Sequence, residues 1–309
     1  MEYTIISTDD HLQESSTLWT DRMSKQRWGS KIPQIREVDE GKERWHIFDV
    51  PMQRSLGTVQ GAVPEEFPDG LGPDRWEDMP RKTYVPSERL KAMEEDGVDV
   101  HTFFSNVAGV AGQTFSNPLY EDVDFRLQCI RAYNDWQIDE WADPYPGRFI
   151  TIALVPLWDA QLAAAEVYRM QKRGVKAISF SFPQQFKYPH IADPFWDPFW
   201  RAAEDTDLSV NLHIGSGGSV GIINESWGGQ GRMVQVADGS TKGLASNIQV
   251  MSTVLYSGIF ERFPKLKFVS SESGLGWAPY LLETADHQWE SQRLSKHGMR
   301  TKPSDLFRR

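Results

Sequence analysis

Asp9 and His11 close a short apolar run, "YTIISTDDHLQE", and Glu14 follows three residues later. Along a strand, residues i and i+2 project to one face, so Asp9 and His11 form a pair while Asp10 turns away. Burying a carboxylate without a partner is costly or forces it to take up a proton, so a cluster at the end of a core strand needs compensation. A divalent metal ion would supply it. Carboxylate oxygen with imidazole nitrogen suits Zn²⁺ first, with Mn²⁺ or another divalent ion as the alternative. The plainer reading of Ser-Thr-Asp-Asp is an Asx turn or a helix N-cap.

A later segment, "LSVNLHIGSG", places Val210, Leu212 and Ile214 on one face and Ser209, Asn211 and His213 on the other. If the apolar face packs on helices, His213 points inward as a third ligand. In "KFVSSESGLGW", Ser270 and Glu272 share a face, and Glu272 is read as a general acid/base or outer metal ligand. Its plainer role is to accept hydrogen bonds from the adjacent glycine-rich turn. Asn106, after "VHTFFS", and His190, before "ADPFWDPFW", are assigned to the substrate rim. His101 lies mid-strand and is read as structural.

These positions depend on a β/α alternation. Apolar, β-rich runs occur at 4–8, 98–105, 149–157, 175–182, 208–214 and 266–270, each followed by a helical pattern. The stretch "WDAQLAAAEVYRMQKRG" has a helical apolar period and ends at Gly174 before the strand "VKAISFSF". Repeated units of this kind predict a parallel sheet, and a single TIM-type β/α barrel over 1–309 would bring the C-terminal strand ends to one mouth. Two segments break the rhythm: 15–86, read as an insertion that is a lid or an oligomer contact, and 215–243, read as a long glycine-rich loop. The tryptophans of the first favour order.

Composition narrows the function. The chain has 309 residues and a formal charge of -10, with no basic stripe, which argues against nucleic acid as a partner. The single cysteine, Cys129, cannot form an internal disulfide and is read as a core residue of a cytoplasmic protein. No apolar run approaches the roughly 20 residues of a membrane helix, and the acidic N-terminus lacks a signal-peptide form, so no membrane partner is expected.

The chain resembles the amidohydrolase-related family, in the branch that includes aminocarboxymuconate-semialdehyde and resorcylate decarboxylases. The resemblance rests on "IISTDDHLQE", "AYNDWQIDEWADPYPGRFITIALVPLWDAQLAAAEVYRMQKRGVKAISF", "DPFWDPFWRAAEDTDLSVNLHIGSG" and "RFPKLKFVSSESGLGWAPYLLE", in family order. It implies a distorted β/α barrel holding one divalent ion with a first-strand His-x-His or Glu-x-His pair, a fifth-strand His and an eighth-strand Asp. Carried over, the first pair falls on Asp9 and His11, with Asp in place of the commoner His or Glu, and the fifth-strand ligand on His213. Glu272 stands where many relatives have a strand-six histidine. The eighth-strand Asp has no counterpart, since "TKPSDLFRR" does not read as a strand, and strands seven and eight are therefore expected to be missing.

The expected activity is that of a metal-dependent hydrolase or non-oxidative carboxy-lyase on a small carboxylated or cyclic substrate, in a homo-oligomer. A metal-free glycosidase using Asp9 and Glu272 leaves both histidines without roles. A degenerate, non-catalytic barrel serving binding or oligomerisation is the non-enzymatic alternative.

Overall fold

The β-rich runs become strands because parallel neighbours bond their edges, and the central ones bury their apolar residues, whereas Ile6 in the first and Val269 in the last stay exposed. The computed structural model describes residues 3–52, 56–57, 72–118, 120–217 and 232–308. Its contacts divide into two compact units, Met1–Pro156 with Arg173–Lys176, and Leu157–Lys172 with Ala177–Arg309.

In the first unit β1 (Ile6–His11) is followed by an antiparallel meander, β2 (Gln34–Asp39), β3 (Lys42–Ile47) and β4 (Val50–Pro51). Two parallel strands complete it, β5 (Val100–Phe104) and β6 (Phe149–Leu154). β1 pairs with β5 in parallel, Ile6 opposite Val100 and His11 opposite Phe104, and the register slips between Ser7 and Asp10. The helix Pro86–Asp96 begins with proline, stops at Gly97 in the left-handed conformation and leads into β5. The helix Val123–Trp136 is capped by Asp122, whose carboxylate accepts the Phe125 amide at 3.0 Å. Asn134 on that helix exchanges two hydrogen bonds of 2.9 Å with the Leu154 backbone, and Gln137 bonds Ile152 in the same way, so buried amides complete the backbone bonding of β6.

The segment 15–86, expected to lack regular structure, holds the meander. β3 turns into β4 through Phe48 and Asp49, both at positive φ (58° and 66°). Two consecutive left-handed residues make the tight hairpin geometry usually given by Asn-Gly, and no such signal is present. Packing compensates, since Phe48 meets Phe125 at 5.1 Å with Lys31 Nζ 4.5 Å above its ring. The tryptophans are ordered, as expected: Trp19 lies edge-on to Trp45 and donates its indole N–H to the Cys129 carbonyl at 3.0 Å. Cys129 is a buried core residue.

In the second unit β7 (Ala177–Ser179), β8 (Ser209–His213) and β9 (Lys267–Ser271) run parallel, with Ser179 opposite Asn211 and His213 opposite Ser271. Helices Ala160–Lys172 and Asp197–Thr206 flank them, and Phe180 stacks on Phe199 at 4.7 Å. Helix Arg232–Tyr256 occupies the last part of the segment 215–243 read as a glycine-rich loop, and 218–231 of that segment lie outside the described residues. Gly243 serves close packing there: a Cβ would lie 2.6 Å from Ile214 Cδ1. Among the described residues β9 is the last strand and helices follow it. None of the described helices is long and apolar enough to cross a membrane.

Candidate functional site

The metal-ligating candidates fall two and two: Asp9 and His11 at the end of β1 in the first unit, His213 and Glu272 at the ends of β8 and β9 in the second. Each stands at the C-terminal end of a parallel strand, where sheets of this type carry their chemistry.

In the first unit the register slip of β1 surrounds Asp9, and both Asp9 and His11 are partly exposed. Asp10 turns the other way, as the alternation predicts, and places Oδ1 3.5 Å from His101 Nδ1. His101 also faces Arg89, whose Nη1 lies 3.4 Å from the same ring nitrogen. Burial, reinforced by the nearby Arg89 and Arg148 charges, holds the His101 pKa below its usual value despite Asp10, and the ring is neutral at pH 7.

Glu14 resolves otherwise than its neighbours. It is fully buried, and its carboxylate accepts backbone N–H groups from Asn106 at 3.2 Å, Val107 at 2.8 Å and Ala108 at 3.0 Å. The buried charge is compensated by a nest of amides in the turn after β5. Tyr133 is buried nearby, and desolvation first, then the Glu14 charge, pushes its pKa well up. Asn106 is buried and donates from Nδ2 to Gln13 Oε1 at 3.1 Å, so it helps build the turn that follows β5. Its sequence had suggested only that it reaches the rim; no motif announced the amide nest.

In the second unit the pairing of His213 with Ser271 brings the next residue, Glu272, against the imidazole. His213 Nε2 lies 3.0 Å from Glu272 Oε2. On the other side, Nδ1–H donates to the Ile214 carbonyl at 3.0 Å, which keeps a proton on Nδ1 and turns Nε2 toward the Glu272 carboxylate. An imidazole nitrogen and a carboxylate oxygen this close share either a proton or a metal cation. Glu272 itself sits at φ 48°, a left-handed conformation that a non-glycine residue holds only when its surroundings impose it. Its side chain keeps 41 % exposure, whereas that of His213 keeps 3 %. His190 is exposed, and its Nδ1 accepts the Ala192 amide at 3.1 Å, closing the turn before Pro194.

Imidazole nitrogen with carboxylate oxygen, the donor types that each unit presents, suits a borderline divalent ion such as Zn²⁺ or Mn²⁺.

Comparison with known proteins gives relatives, similar folds and a family. The chain is 25% identical over 237 residues to a gamma-resorcylate decarboxylase of a Rhizobium species, covering 74% of this chain and 68% of the relative. Its fold matches a crystal structure of an amidohydrolase from Mycobacterium avium subsp. paratuberculosis with a TM-score of 0.69 at 19% identity, over 100% of this chain and 82% of that one. It also matches a 5-carboxyvanillate decarboxylase from Novosphingobium aromaticivorans, solved with manganese and a nitrobenzoic acid, with a TM-score of 0.51 at 21% identity over 69% of this chain and 57% of that one. The family model described as amidohydrolase spans residues 44–307, most of the sequence, and by that match the chain belongs to the amidohydrolase family.

Proposed function

We propose that the chain is a metal-dependent, non-oxidative carboxy-lyase acting on a small aromatic carboxylate, with Asp9, His11 and His213 holding one divalent ion and Glu272 carrying the proton. The observation that carries this reading is the His213–Glu272 pair, with a proton kept on His213 Nδ1 and Nε2 turned to a carboxylate 3.0 Å away. The decarboxylase relatives, one of them solved with manganese, support the reaction class.

When bound, the ion supplies Lewis acidity toward oxygens of the substrate. The protein's own residues do the rest. Glu272, partly exposed, takes a proton from solvent and delivers it to the ring carbon that bears the carboxylate. The carbon–carbon bond then breaks, its electron pair restores the aromatic ring, and carbon dioxide leaves. Asn106 and His190 are proposed for the substrate rim, and the β2–β4 meander in 15–86 for a cover that excludes water.

Turnover of gamma-resorcylate and 5-carboxyvanillate in deuterated water tests this. The reading predicts carbon dioxide release with one deuterium at the vacated ring carbon. Uptake of labelled oxygen from water into a hydrolysis product would assign the hydrolase chemistry instead, and an inert protein that takes up no metal would assign a binding module.

A further inference from the structure

We propose that Arg89 is a positioning residue that fixes the ligand-bearing end of β1 by holding the His11 carbonyl, and through it the aim of Asp9 and His11. The inference rests on the metal-binding role proposed above.

Three observations lead to it. First, the ladder between β1 and β5 is irregular where precision is needed, since the register slips between Ser7 and Asp10 and Asp9 lies inside the slip. A bulge leaves backbone groups outside the ladder, so something other than strand pairing must fix that stretch. Second, Arg89 reaches across from the helix Pro86–Asp96 and spends its fork on several partners at once. Nη2 donates to the His11 carbonyl at 2.9 Å, Nε to the Lys82 carbonyl at 2.6 Å, and Nη1 faces His101 Nδ1 at 3.4 Å. The guanidinium carbon lies 5.6 Å from the centre of the Phe103 ring, next to the residue that pairs with His11. A planar, five-donor group is suited to such a clamp, and lysine is not.

Third, Asp10 stands between the two proposed ligands, with Oδ2 buried and lacking a hydrogen-bond partner in the structure. A carboxylate placed there is tolerable only beside positive charge, and Arg89 supplies it. Asp10, Arg89 and His101 thus form a half-buried polar group behind the strand end, which the proposed reaction does not use.

A merely structural arginine would stabilise the fold without setting metal affinity, and Arg148 provides the comparison. It too is tied to backbone in this unit, donating to the Asp99 carbonyl at 2.7 Å and pairing with Glu94 at 2.7 Å, but at the opposite end of β5. The experiment titrates the chelator-stripped 309-residue chain with Mn²⁺ alone, read by the electron paramagnetic resonance of free Mn²⁺, for wild type, Arg89→Met, Arg89→Lys and Arg148→Met. Amide hydrogen exchange at Leu12, whose N–H bonds the Phe104 carbonyl at 3.1 Å, is measured on the same metal-free samples.

Arg89→Met is expected to weaken Mn²⁺ binding by about 10–100-fold, the usual cost of removing a partner that orients a ligand. Arg89→Lys, which keeps the charge but not the fork, should recover only part of that loss. Arg148→Met should leave affinity within about threefold of wild type, and Leu12 should exchange at least about tenfold faster in Arg89→Met. Unchanged affinity in Arg89→Met, an equal loss in Arg148→Met, or unchanged protection of Leu12 overturns the proposal. If Arg89→Met does not fold, Arg89→Lys decides, and wild-type affinity in that variant overturns it. Should wild type itself take up no Mn²⁺, the metal reading fails, while exchange at Leu12 still decides whether Arg89 holds the strand.

Discussion

Replacing Glu14 by glutamine changes one oxygen for an amide nitrogen and nothing in size, so its effect follows from the hydrogen-bond geometry alone. The carboxylate accepts three backbone N–H groups, with Oε1 serving Asn106 and Ala108 and Oε2 serving Val107. A glutamine can keep its oxygen on the first two, but its NH₂ then faces the Val107 N–H, donor against donor. A charge-assisted bond is worth about 1.5–3 kcal/mol, and a buried N–H left unsatisfied costs a further 1–3 kcal/mol or so. Glu14→Gln should therefore lower unfolding free energy by about 3 kcal/mol or more. The assay is urea denaturation of both proteins, with an unchanged m-value required for the difference to count as stability. A loss below about 0.5 kcal/mol would show that the turn after β5 is not held by this carboxylate.

Three further outcomes are expected. Glu272→Gln should lower kcat for decarboxylation by about 10²–10⁴-fold with little change in KM, measured by steady-state kinetics, since the amide cannot carry the proton. His101 is held neutral by burial, so its folded pKa lies below the unfolded value of about 6.5 and the unfolded chain binds the extra proton first. Its contribution is complete above about pH 6.5 and is lost as pH falls toward the folded pKa, so His101→Gln should flatten the acid limb of stability measured by denaturation between about pH 7 and 5. Burial pushes the Cys129 thiol pKa well up and encloses it completely, so it should resist Ellman's reagent in native protein and react only after denaturation.

Much of this architecture was legible because its signals are local. Each β-rich run lies at or within a few residues of a parallel strand, and period-two alternation sorted Asp9 from Asp10, while in β8 both Val210 with Leu212 and Asn211 with His213 are buried. The membership suggested by the four quoted segments agrees with the match over residues 44–307. What escaped depended on contacts distant in sequence. The β3–β4 turn uses Phe48 and Asp49 because Phe125, 77 positions further along, holds the phenyl ring in place. Gly243 reads as a loop residue until Ile214 is seen to press on it within a helix. Glu14 looked like one more member of an ionisable cluster, yet its partners are three amides more than 90 residues away. Arg89 carried no motif at all, because a clamp on a carbonyl needs only a long donor on a nearby helix. The question raised by four ionisable groups at one strand end thus divides into three answers: Glu14 on the amide nest, Asp10 beside Arg89 and His101, and Asp9 with His11 assigned to the metal.

Metal content of the purified protein, measured by inductively coupled plasma mass spectrometry after loading with Zn²⁺ or Mn²⁺ and desalting, bears on that last assignment. Wild type should retain about one ion per chain, and both His213→Ala and the Asp9→Ala, His11→Ala double variant should fall below about 0.1. A wild type that retains none, or a double variant that retains a full equivalent, would contradict it.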